Sequence, residues 1–123
     1  MSGNFRTREE IHDVYQKRAA IYELAVYGCY LLGFPIGRYR RMAIKALDPK
    51  PGNTIVEIGC GTGMNFPLLQ AKVGPTGKII GVDISEAMLE LAKKRVDDAG
   101  WKNVDLVLAS AADYTFPDGV DGI

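Results

Sequence analysis

Cysteine, histidine and net charge are all scarce in this chain of 123 residues. Two cysteines, Cys29 and Cys60, cannot build a disulfide framework, and nothing suggests an oxidising compartment. The single histidine, His12, lies in a polar N-terminal stretch and reads as solvated, and no metal site is expected. Fifteen basic residues cancel fifteen acidic ones, so the basic excess of a general nucleic-acid binder is missing. Long apolar runs are missing too. The longest, Leu24 to Ile36, is about half a membrane span and is interrupted by Gly28, Gly33 and Pro35. The opening, Met1 to Glu10, is polar and lacks the apolar core and cleavage pattern of a secretory signal. The expectation is a cytoplasmic protein with no nucleic-acid partner.

What is present is a globular composition, 47% hydrophobic and 24% charged. A domain of this size buries roughly two-thirds of its unfolded surface, enough for a true core. Residues 1–50 and 51–123 differ in character. The first segment holds nine Lys and Arg against five Asp and Glu, and the second holds six against ten. In the first, Ile11, Val14, Tyr15, Arg18, Ala19 and Tyr22 recur at helical spacing. A further helix is predicted from Ile36 to Leu47, stopped by Pro49 and Pro51.

Beyond Pro51, short β-branched runs alternate with helical stretches. Strands are predicted at Asn53–Ile58, Lys78–Val82 and Asn103–Leu108, and helices at Met64–Val73 and Ser85–Ala99. Continuous hydrophobicity in the strands suits a parallel sheet covered on both faces. Ser85 is placed to cap the last helix and Gly100 to end it, with Met88, Leu91, Ala92 and Val96 as its inward stripe. Strand, helix, strand, helix, strand defines an α/β, Rossmann-like doubly wound parallel sheet.

The informative segment is Glu57-Ile58-Gly59-Cys60-Gly61-Thr62-Gly63, where the first strand hands over to a helix. Alternate glycines allow a tight turn and clear side chains from a ligand's path. The helix N-terminus that follows favours an anionic group. A tight turn without a ligand is the plainer alternative. Asp83 ends the next strand, where a carboxylate can accept both hydroxyls of a ribose, cap the helix near Ser85, or do both. A dinucleotide fingerprint is disfavoured, since its third glycine position holds Met64 or Phe66.

The spacing Glu57-x-Gly59-x-Gly61-x-Gly63 resembles motif I of the class I S-adenosylmethionine-dependent methyltransferases. Asp83 matches that family's ribose-binding acid. The segment Ala109 to Asp118 is similar to the stretch after the third strand in the ubiquinone/menaquinone-biosynthesis type. Upstream, Tyr15-Gln16-x-x-Ala19-x-x-Tyr22-Glu23 resembles the helix that precedes the domain in that subgroup. The resemblance implies S-adenosyl-L-methionine as cofactor. It implies Gly59, Cys60, Gly61 and Gly63 beside the methionine part and Glu57 toward the ammonium. Asp83 would then hold the ribose, Ile84, Ser110 and Ala111 the adenine, and Tyr22 would close over the cofactor. Where the family usually has an adenine-contacting aspartate, this chain has Ser110, with Asp113 three residues later.

The resemblance further implies methyl transfer to a small-molecule acceptor, a quinone precursor or a lipid, by alignment of donor and acceptor. No residue is assignable as general base. Val120 to Ile123 match the beginning of a fourth strand, so the expectation is the N-terminal half of such a domain, 51–123, preceded by a helical cover, 1–50. A non-catalytic cofactor-binding fragment is the rival reading, and a nicotinamide-dependent reductase a more distant one. Tyr27, Tyr30, Leu31, Leu32 and Phe34, near Arg38, Arg40 and Arg41, would cover the sheet, lid a pocket for an amphipathic small molecule such as a quinone precursor or lipid headgroup, or touch an anionic membrane surface, and an open sheet edge invites self-association.

Overall fold

A computed structural model describes residues 36–123, together with 9, 10, 21, 24, 25 and 28. The expectations for His12, Tyr22, Cys29 and most of the 1–35 segment lie outside the described residues. Three strands, β1 (Thr54–Ile58), β2 (Lys78–Asp83) and β3 (Val104–Leu108), alternate with three helices. These are α1 (Ile36–Leu47), α2 (Phe66–Val73) and α3 (Glu86–Ala99). The strands pair in parallel in the order β1-β2-β3. Ile55 lies opposite Ile79, and Gly81 opposite Leu106. At its end the chain returns to the far side of β1, where Gly122 bridges Ile55 and Val56 N–H donates to the Gly122 carbonyl at 3.0 Å. Strand order therefore reverses beside β1, and the carboxyl ends of the strands there form the crevice where open α/β sheets bind ligands.

Helix limits follow from local chemistry. Asp48 adopts a left-handed φ of 50° and its N–H bonds Ile44 O, ending α1 just before Pro49. Ser85 caps α3 by accepting the Met88 N–H at 3.3 Å. Gly100 ends it in the left-handed conformation at φ 72°, as predicted. Helix α2 begins at Phe66, two residues later than predicted, because Met64 and Asn65 belong to the turn that follows the glycine loop.

The core has two sides. On one, Ile55 and Ile79 meet Phe66, Leu69 and Val73 of α2, Ala92 and Val96 of α3, and Ile44 of α1. On the other, Val56, Ile80 and Val82 pack with Val107, Tyr114 and Val120. All three described helices lie on the first side. The inward stripe of α3 takes Leu89 where Leu91 was expected, since Leu91 is only half-buried. At the end of the sheet away from the glycine loop, Asn103 is a latch and not the start of β3. Its Nδ2 donates to the carbonyls of Gly74 and Gly77, at 3.0 and 2.9 Å, and fixes the α2–β2 turn against β3.

Candidate functional site

The loop leaving β1 is bound to the end of β2 by consecutive backbone donors. Gly59 and Cys60 N–H both reach Val82 O, at 2.7 and 3.0 Å, and Gly61 N–H reaches Asp83 Oδ2 at 2.8 Å. The three alternate glycines have positive φ values of 69°, 56° and 77°. They divide into two kinds. A Cβ built on Gly59 or Gly61 meets nothing within 4 Å, whereas one on Gly63 falls 2.5 Å from the Phe66 ring. The first two keep space clear; the third lets the ring of α2 seat beneath the loop.

Gly59 and Gly61 line a cavity of about 350 Å³, shared with Asp83, Ile84, Ser110 and Ala111. Met88 and Ala109 add apolar wall to it. Asp83, 9% exposed, works on two fronts. Its Oδ1 accepts Ser85 N–H at 2.9 Å and its Oδ2 accepts Gly61 N–H. A carboxylate has about four acceptor sites, so two backbone bonds leave capacity for hydroxyls at the cavity wall. The helix-capping and ligand-binding alternatives are thus compatible in one side chain.

Glu57 does not line that cavity. Asn65 Nδ2 donates to Glu57 Oε1 at 2.5 Å, and Arg40 of α1 donates through Nη1 to Asn65 Oδ1 at 2.9 Å. Among the described residues, Glu57 Oε2 is buried with no hydrogen-bond partner. Burial pushes the Glu57 carboxyl up to about 7, against the Asn65 hydrogen bond and the charge of Arg40, which pull it down. Cys60 is buried, and its thiol is pushed far up by burial and by the nearby Glu57 and Asp83 charges. It is not an activated nucleophile. Its sulfur packs where a Cβ on Gly81 would lie, 2.9 Å away, as a small core residue.

Ser110 Oγ donates to Asp113 Oδ2 at 2.9 Å. Ser110 lines the cavity and Asp113 does not. Among the described residues no three His, Cys, Asp or Glu side chains cluster as metal ligands, and no helix is long and apolar enough to cross a membrane.

The model of the ubiE/COQ5 methyltransferase family matches residues 5–123. The chain belongs to the ubiE/COQ5 methyltransferase family. It is similar to a demethylmenaquinone methyltransferase of Symbiobacterium thermophilum, 46% identical over 88 residues, covering 70% of this chain and 35% of that protein. It is also similar to one of Bacillus cereus, 31% identical over 111 residues, covering 89% and 46%. The chain thus spans less than half the length of these curated relatives. A solved SAM-dependent methyltransferase of Aquifex aeolicus superposes with a TM-score of 0.58 at 30% identity. That match covers 64% of this chain and 42% of the other.

In this family member, sequence reasoning brought together Gly59, Gly61, Asp83, Ile84, Ser110 and Ala111, which share one cavity. Glu57, Cys60 and Gly63 do not line it. Three participants were missed. Met88 is the inward residue one turn after the Ser85 cap, a position readable from the helix start. Arg40 lies on the buried side of α1 with Ile44 and Leu47, four and seven residues on, and a cation on an apolar stripe is a readable anomaly. Asn65 carried no local signal.

Proposed function

We propose that this chain holds S-adenosyl-L-methionine for transfer of its methyl group to a small-molecule acceptor. The observation that carries the reading is the clear space over the Gly59 and Gly61 backbone, in a cavity walled by Asp83. The residues fit such a group. Asp83 retains acceptor capacity for two ribose hydroxyls, and Ile84 and Met88 give an apolar surface for a flat base. Ser110 Oγ and the Ala111 backbone supply polar atoms for the base edge. Glu57, with one oxygen unpartnered, suits the ammonium of the methionine part. Gly59 and Gly61 admit the chain between nucleoside and amino acid.

Bound there, the cofactor supplies an electrophilic methyl on a sulfonium. The protein's part is to hold, orient and exclude water, worth roughly 7–11 kcal/mol of barrier when alignment is good. The N-terminal segment, residues 1–50, would cover the cofactor, with Tyr22 closing over it. The relatives' names support a quinone precursor of the demethylmenaquinone kind as acceptor. Lipid contact goes with that acceptor. Helix α1 turns exposed Arg38, Tyr39, Arg41, Met42 and Lys45 outward and contains no acidic residue, which suits an anionic surface. Self-association along the β1 edge, beyond its single bridge to Gly122, is a further expectation.

Calorimetric titration with S-adenosylhomocysteine, and separately with NADH, tests the reading. Binding of the first and not the second is expected. NADH binding, or binding of neither, would overturn it.

A further inference from the structure

Arg40 is a guanidinium placed on the buried side of α1, where its Nη1 bonds Asn65 Oδ1 at 2.9 Å and its Nη2 approaches Met64 Sδ at 3.7 Å. Asn65 occupies the N-cap position of α2, yet its backbone is helical at φ −86° and ψ −15° and its side chain caps nothing. An asparagine in that place ordinarily contributes about 1 kcal/mol as a cap. Here the amide is spent elsewhere, on Glu57 and Arg40. A side-chain amide suits that place because it offers an N–H to a carboxylate and an oxygen to a guanidinium at once. A residue that forgoes its local preference marks a site where another demand has won. Beyond it stands Glu57, with Oε1 fixed by Asn65 and Oε2 buried without a partner among the described residues.

We propose that Arg40 and Asn65 are positioning residues. Through Asn65, Arg40 of α1 holds the Glu57 carboxyl so that its unpartnered oxygen meets the ammonium of the cofactor's amino-acid end. The relay makes one unit of α1, the start of α2 and the end of β1. It rests on the cofactor reading above and adds to it the residues that select for the amino-acid part.

Two ligands separate that role from a general structural one. S-adenosylhomocysteine carries the amino acid; 5′-methylthioadenosine has the same nucleoside and sulfur without it. Calorimetry on Arg40→Met, Asn65→Leu and the double variant, with folding followed by circular dichroism, gives the readout. Each single variant should lose about tenfold in S-adenosylhomocysteine affinity, as for one hydrogen bond to a charged group. Affinity for 5′-methylthioadenosine should stay within about twofold. The double variant should be no worse than the weaker single one, because both changes break one chain of contacts. Equal losses for both ligands, additive losses, unchanged affinity, or unfolding of both single variants would overturn the proposal. If the unsubstituted protein binds neither nucleoside, the cofactor reading itself falls, and the relay with it.

Discussion

Alanine at each of the three loop glycines should give two different phenotypes from one repeated residue. All three positions have left-handed φ, so a Cβ costs about 1–2 kcal/mol in backbone strain at each. At Gly59 and Gly61 nothing is added to that, because the new methyl points into open space. At Gly63 it would stand 2.5 and 2.6 Å from two carbons of Phe66. That ring is fully buried, and its far end lies 2.7 Å from where a Gly81 Cβ would be. It has no room to swing, and overpacking adds about 1–3 kcal/mol. The expected losses are about 1–2 kcal/mol for Gly59→Ala and Gly61→Ala, and about 2–5 kcal/mol for Gly63→Ala. At about 4 °C per kcal/mol for a domain of this size, thermal unfolding resolves the difference. Titration with S-adenosylhomocysteine should show the reverse order. Gly59→Ala and Gly61→Ala fill the cavity and lose affinity at least about tenfold, while folded Gly63→Ala keeps it. Equal destabilisation at all three sites, or undiminished affinity in Gly61→Ala, would refute this division of roles.

Other consequences can be measured independently. Glu57 has a folded-state value near 7, above its ordinary 4.5, so its contribution to stability is full below the ordinary value and fades as pH rises toward 7. The unfolding free energy of wild type minus that of Glu57→Gln should fall across that window, by an amount on the order of 3 kcal/mol; a flat difference would contradict the burial of this carboxyl. Asp83→Ala should cost stability as well as nucleoside affinity, since Gly61 and Ser85 N–H both lose their acceptor, at about 1–3 kcal/mol each. A variant as stable as wild type in urea would show those bonds to be dispensable. Asn103→Ala should lower stability by about 1–2 kcal/mol through loss of the Gly74 and Gly77 latch. S-adenosylhomocysteine affinity should be unchanged, because the latch is at the opposite end of the sheet.

The alternation of strands and helices was legible because each element carries its own punctuation. Gly100 ends α3, Ser85 begins it, and proline bounds α1. The cavity residues were legible because glycine spacing and Asp83 announce a strand-to-helix crossover with an acid beside it. What was not legible depends on three-dimensional packing. Gly63 looks like Gly59 and Gly61 in sequence, and only the position of Phe66 separates it from them. Leu89 and Leu91 stand on opposite edges of the Met88–Ala92–Val96 stripe, and only the packing of α3 on the sheet decides which edge is buried. Asn65 falls inside the helix predicted from Met64, and its bond to Glu57 becomes visible only when Arg40 arrives from 25 residues earlier.

The central claim is that the hollow over Gly59 and Gly61 grips a nucleoside through Asp83. A crystal structure of the chain with S-adenosylhomocysteine tests it most directly. The ribose hydroxyls should lie within hydrogen-bonding distance of the Asp83 carboxylate, with the amino-acid chain passing over Gly59 and Gly61. A ligand bound elsewhere, or a ribose turned away from Asp83, would contradict it.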